Sequence, residues 1–274
     1  MRRQALTLIL ASLLIVAGVV SVASAAGKRP GPARGMPVYL ALGDSWPAGG
    51  GASAPSEGYV PQLNTKLRRR FDCRRHASRS RRGCKHLQLV NLAQGGATTP
   101  SMIETQLPAA VALLTERNRD RNRRNDVKVV TLHIGGNDVV FPILGACSVA
   151  IDANCVAAFR AAMDAYRSDL GVALTSLRAA AGTKARIVIG TYDNTFVPPC
   201  PLSTALGELI GEGSATVGDG FRDVIYDVAE RHGVEVADVG GRLGPADLVG
   251  DCLHPNDSGH DKVTRAFVEV LTDG

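Results

Sequence analysis

Met36-Pro37-Val38-Tyr39-Leu40-Ala41-Leu42-Gly43-Asp44-Ser45 sets a short apolar run directly against a Gly-Asp-Ser turn. An apolar run of this length, closed by a glycine turn, reads as a buried strand. Residues 87–92, 127–134, 185–191 and 234–239 repeat the pattern, so five buried strands are expected. Between them lie helical patterns. Val156, Phe159, Met163, Tyr166, Leu170, Ala173 and Leu177 recur at steps of three and four, which places them on one stripe. Val263, Ala266, Phe267, Val270 and Leu271 form a second stripe, with Asn256 or Asp257 as its cap. Strands and amphipathic helices that alternate throughout predict an α/β fold over 36–274. Its form is a three-layer α/β/α domain around a doubly wound, five-stranded parallel sheet.

The chain ahead of this domain has a different character. Arg2 and Arg3 precede an apolar run from Ala5 to Val22, which closes on Ala23-Ser24-Ala25-Ala26. That pattern is a secretory signal peptide over 1–26, and it predicts export of a soluble, monomeric protein. The run is also long enough to span a bilayer, so an uncleaved anchor is the rival. Residues 27–35 are Gly, Pro and basic residues, unable to bury a face, and form a flexible lead-in.

Cysteine usage agrees with export. Cys73, Cys84, Cys147, Cys155, Cys200 and Cys252 all follow residue 26, and an even count in an exported chain reads as a disulfide framework. The close spacings point to Cys73–Cys84 and Cys147–Cys155, which leaves Cys200–Cys252. No Cys-x-x-Cys pair supports a zinc site instead. The net charge of +5 is local in origin: residues 66–86 hold ten Lys or Arg against the single acid Asp72. This segment could meet anionic lipid or polysaccharide, or simply be a solvated excursion. Phe71 alone interrupts its arginines, too little aromatic surface to stack on successive bases, and no nucleic-acid partner is expected.

In an open α/β sheet, ligands bind beyond the carboxyl ends of the strands. The first strand runs into Gly43-Asp44-Ser45, and the second into Gly95-Gly96, whose backbone a ligand can approach closely. The third runs into Gly135-Gly136-Asn137-Asp138, and Asp251-Cys252-Leu253-His254 precedes the last helix. Acyl transfer needs these parts together. A serine hydroxyl requires a base, a histidine supplies it, and an acid fixes the histidine tautomer. Preorganised N–H groups must also face the developing oxyanion. Ser45, His254 and Asp251 fit the first three roles. The Ser45 and Gly96 backbone N–H groups and the Asn137 amide fit the last.

Each block alone has a plainer reading as a turn or a cap. Asp44 and Asp138 read as residues that hold turns, His133 as a core or edge histidine, and His260 as a residue that could face solvent. Asp251, His254, Asp257 and His260 could suggest a metal, but the serine and the donors would then be unexplained; no metal or cofactor is expected. Gly-x-Gly-x-x-Gly after a strand, the mark of dinucleotide binding, is missing.

In this order, the four blocks resemble the signatures of the SGNH, or GDSL, hydrolases over nearly the whole chain after the leader. The resemblance implies a flavodoxin-like SGNH fold. It also implies Ser45 as nucleophile, Asp251 and His254 as acid and base, and Ser45, Gly96 (or Gly95) and Asn137 as the oxyanion hole. Trp46 stands where the nickname has leucine, which bears on the shape of the pocket. Export and the cysteine pattern look most like secreted lipases and esterases of this family. The expected substrate is a lipid or small-molecule ester, with O-acetylester hydrolysis on a polysaccharide and noncatalytic surface binding as rivals. Trp46, Phe141, Pro142, Phe196, Val197, Pro198 and Pro199 are expected to shape the pocket.

Overall fold

A computed structural model describes residues 35–73, 87–147 and 150–272, with side chains 69–73 left out. The leader 1–26, nearly all of the lead-in, the basic segment from 69 onward and the Cys73–Cys84 pair lie outside the described residues. No helix among those described is long and apolar enough to cross a membrane.

Chain order is β1 (Val38–Gly43), α1 (Ser45–Ala48), α2 (Tyr59–Cys73), β2 (Gln88–Asn91), α3 (Thr99–Thr105), α4 (Leu107–Asn118) and β3 (Val127–His133). There follow α5 (Gly136–Cys147), α6 (Ala153–Ala181), β4 (Arg186–Gly190), α7 (Thr204–Glu212), β5 (Gly213–Ser214) and β6 (Gly218–Asp219). The chain closes with α8 (Phe221–Arg231), β7 (Glu235–Ala237) and α9 (Asp257–Thr272). The main sheet is parallel throughout, in the order β2-β1-β3-β4-β7. The five strands are those expected, whereas the small antiparallel β5–β6 hairpin was not.

β1 shows why the sheet is covered on both sides. Alternate residues of a strand point to opposite faces. Val38, Leu40 and Leu42 enter a core with Met102, Phe159 and Tyr166, while Tyr39 and Ala41 enter another with Tyr59, Leu63 and Phe267. Each large side chain so buried contributes about 1.5–3 kcal/mol. The first core carries α3 to α8, the second α2 and α9. The expectation of five buried strands needs correction at the edges: β2 is half-buried throughout, and of β7 only Ala237 is buried. An edge strand has one neighbour, so its residues cannot be enclosed as those of β1 are.

Both helical stripes are core-facing, with Phe159, Tyr166, Leu170, Val263 and Phe267 fully buried. Asp152 caps α6 by accepting from the Cys155 N–H, and the Cys147–Cys155 disulfide ties the end of α5 to that first turn. Asn256 caps α9: its side-chain oxygen accepts from the N–H groups of Ser258 and Gly259, at 3.0 and 3.2 Å.

Candidate active site

The turn that carries Ser45 is built by glycine and two polar clamps. Gly43 has φ +138°, and a Cβ there would lie 1.9 Å from the His133 carbonyl oxygen. No other residue fits. Gln106, 1 % exposed, pairs with both backbone groups of this same residue. Its Oε1 accepts from Gly43 N–H at 2.9 Å and its Nε2 donates to Gly43 C=O at 2.8 Å. Asp44 caps α1 by accepting from the Trp46 N–H at 3.1 Å, and its other oxygen accepts from the Tyr192 hydroxyl. Ser45 is therefore the first residue of a helix, where the backbone N–H has no partner within that helix.

The loop with Asp251 and His254 comes from the other end of the chain. Asp251 Oδ1 accepts from the backbone N–H groups of Leu253 and His254, at 2.9 and 3.0 Å, which leaves Oδ2 for the His254 ring at 2.5 Å. A carboxylate only accepts, so Nδ1 of His254 carries the hydrogen and Nε2 is free to accept. That Nε2 lies 2.9 Å from Ser45 Oγ. Partial burial would raise the Asp251 carboxyl, but the His254 N–H and the two backbone N–H groups outweigh it and hold it below the usual carboxylate range. Cys252 adopts φ 63°, a left-handed conformation that costs a non-glycine residue about 1–3 kcal/mol. The Cys200–Cys252 disulfide and a 2.6 Å bond from the Thr195 hydroxyl to the Cys252 carbonyl hold it there.

Three contacts lock the two parts together. The Trp46 indole N–H donates to Leu253 C=O at 2.9 Å, so the residue in place of leucine is a strut between nucleophile turn and base loop. Asp257 accepts from Ser53 N–H and Oγ–H at 2.8 and 2.5 Å. His260 accepts the Tyr59 N–H at Nδ1, and its Nε2 then donates to Gly50 C=O at 3.0 Å. His260 is fully buried, contrary to the expectation that it faces solvent. Burial lowers its pKa, so it is a neutral spacer. His133 is also fully buried, pushed down to about 3 by burial, with Nε2 bonded to the Thr191 carbonyl, and cannot serve as the base.

The remaining candidates line the same cleft. The Gly96 N–H and the Ser45 N–H have no hydrogen-bond partner among the described residues. Asn137, in the first turn of α5, donates one amide hydrogen to Ala97 C=O at 2.8 Å. That bond fixes the amide and leaves its second N–H free. Asp138 grips Thr99 through its N–H at 2.9 Å and its hydroxyl at 3.2 Å, so the Gly96 loop and the Asn137 helix are held as one unit. Ser45, Gly96, Asn137 and His254 all line one cleft of about 800 Å³. Trp46, Phe141, Phe196 and Val197 line it as expected, but Pro142, Pro198 and Pro199 do not. Tyr192, Ile210, Phe221 and Leu243 take their place. These were missed because each belongs to a pattern that reads as core or loop packing. No cluster able to hold a metal occurs among the described residues.

Asp44 supports a prediction about stability. Burial, the largest effect, raises its carboxyl to about 7, while bonds from Tyr192 and the Trp46 N–H pull the other way. The folded chain therefore holds a proton that the unfolded chain gives up near the ordinary aspartate value of 3.8. Stability is lost as pH rises from the unfolded value through about 7, by an amount on the order of 4 kcal/mol. Asp44→Asn keeps an acceptor for Trp46 and removes the charge. Thermal melts from pH 4 to pH 8 should fall with pH more steeply for the wild type than for this variant. Parallel melting curves would show that Asp44 titrates normally.

A half-buried strand–turn serine, a histidine and an aspartate in hydrogen-bonded sequence, beside unused N–H donors at one cleft, define a hydrolase-type site on an α/β sheet. The model of the GDSL-like Lipase/Acylhydrolase family matches residues 41–262, and the chain belongs to that family. It is a carboxylic ester hydrolase. Among solved structures it is similar to an extracellular lipase from Streptomyces rimosus: 18% identity, TM-score 0.57, over 86% of this chain and 100% of that one. Phospholipase A1 from Streptomyces albidoflavus NA297 is 20% identical with a TM-score of 0.52, over 86% and 98%. A family 3 carbohydrate esterase from Clostridium thermocellum is 16% identical with a TM-score of 0.51, over 87% and 96%. At these identities the likeness concerns the fold. The comparison with curated proteins gives no match.

Proposed function

We propose that this chain is a secreted serine esterase or lipase that hydrolyses carboxylic esters by two-step acyl transfer. The observation that carries the reading is the unbroken sequence Ser45 Oγ, His254, Asp251, with separations of 2.9 and 2.5 Å, at the mouth of a largely apolar cleft. His254 Nε2 takes the Ser45 proton as Oγ bonds to the ester carbonyl carbon. The carbonyl oxygen becomes an oxyanion, held by the N–H groups of Ser45 and Gly96 and the free N–H of Asn137. Collapse breaks the ester C–O bond, and the departing alcohol takes the proton from His254. Water then repeats the sequence on the acyl-enzyme and releases the acid.

The leader supports export: residues 1–26 would be removed, and 36–274 would work as one domain. Apolar walls favour a hydrocarbon acyl group over acetate. The test is hydrolysis of p-nitrophenyl esters from two to sixteen carbons, combined with a phosphonate ester that phosphonylates an activated serine. Turnover rising beyond acetate, with the label on Ser45, is the expected result. A preference confined to acetate would replace the lipase reading with O-acetylester hydrolysis, and a label elsewhere would remove the triad.

A further inference from the structure

Two helices contribute to the lining of the cleft: α5, through Val140 and Phe141, and α7. From α7, Thr204, Gly207, Glu208 and Gly211 face the cleft at steps of three and four, so they share one side of the helix. Two of these are glycines, and they differ physically. A Cβ on Gly207 would lie 2.0 Å from the Asn194 side-chain oxygen, itself on the cleft wall, so contact alone requires glycine there. A Cβ on Gly211, one turn further along the same side, would meet nothing within 4 Å. Gly211 has no positive φ and sits inside the last turn of α7, where alanine is the better helix former. Neither backbone conformation nor packing calls for glycine at this position. What its missing side chain provides is open space in the cleft.

We propose that Gly211 is a specificity-determining residue: it keeps the passage between α5 and α7 open for an extended hydrocarbon chain of the ester, beyond the length of acetate. This rests on the acyl-transfer reading above. The chain would lie with Phe141 opposite and Phe221 and Tyr192 beneath, where burial of successive methylenes supplies the binding energy. A branched side chain at 211 would occupy that volume from a Cβ with no atom of Ser45, His254 or Asn137 within 4 Å.

The experiment compares wild type, Gly211→Ala and Gly211→Leu on p-nitrophenyl acetate, octanoate and palmitate, with thermal melts of each protein. Gly211→Leu should hold kcat/KM for acetate within about twofold of wild type and lose at least about tenfold on palmitate. Gly211→Ala should fall between them, with a melting temperature equal to or above wild type. Palmitate turnover unchanged in Gly211→Leu, or an equal loss on all three esters, would overturn the role of Gly211 and leave the Ser45 chemistry standing. A wild type restricted to acetate would overturn both the chain-length reading and Gly211's part in it.

Discussion

Replacing Ser45 with alanine is expected to lower kcat on p-nitrophenyl esters by about 10⁵–10⁶-fold while the protein stays folded. The side chain is half-buried at the cleft, and the change deletes one oxygen without opening a core cavity. Nothing else at the site can substitute as nucleophile. Asp44 is buried and bonded to the Tyr192 hydroxyl and the Trp46 N–H, and Thr98 is committed to capping α3 through the Ser101 N–H. Residual rate should come from the oxyanion donors and from binding alone. Because Ser45 and His254 act as one unit, the double variant with His254→Ala should be little slower than either single one. Steady-state kinetics with circular dichroism as the folding control decide it. A Ser45→Ala protein that kept more than about a hundredth of wild-type kcat would rule out Ser45 as the nucleophile.

The second large effect belongs to Asn137. Its amide has one hydrogen spent on Ala97 C=O and one left over, beside two backbone N–H groups with no partner among the described residues. Preorganised donors of this kind act on charge that develops only in the transition state, and loss of one costs about 10²–10³-fold in kcat. Asn137→Ala should show that loss with KM nearly unchanged. A purely structural role would give a different signature, because loss of the Ala97 bond would loosen the Gly96 loop and raise KM as well. Asp138→Ala supplies the comparison. It releases Thr99, and so should disturb stability and KM together while the Asn137 amide remains. A kcat for Asn137→Ala within about threefold of wild type would remove the amide from the oxyanion hole.

Much of this site was legible before any fold was known, because catalysis on an open α/β sheet gathers at strand ends. Asp44-Ser45 adjoins β1, Gly136-Asn137-Asp138 begins two residues past β3 and Gly95-Gly96 three past β2, so local sequence carries their position near strand ends. Asp251 and His254 are three apart in one loop, and their bond is also a local matter. The supports were a different case. Gln106 looks like any polar residue between two helices, yet it clamps Gly43 across 63 positions of chain. Tyr192 bonds Asp44 from 148 positions away, and His260 reaches Gly50 from 210. No periodicity or motif announces such pairs.

What the sequence by itself determined was therefore the alternation of strand and helix, the two-sided burial of β1, and which polar groups stand near the strand ends. Those follow from side-chain polarity and short-range backbone preference, which act between near neighbours. Only the tertiary structure decided that Ser45 lies 2.9 Å from His254 Nε2, that Trp46 braces the base loop, that Cys252 holds a left-handed turn, and that the cleft closes on Phe221 rather than on prolines. These depend on how helices from distant parts of the chain pack on the sheet. Long-range contact energies set that packing, and no single stretch of residues contains them.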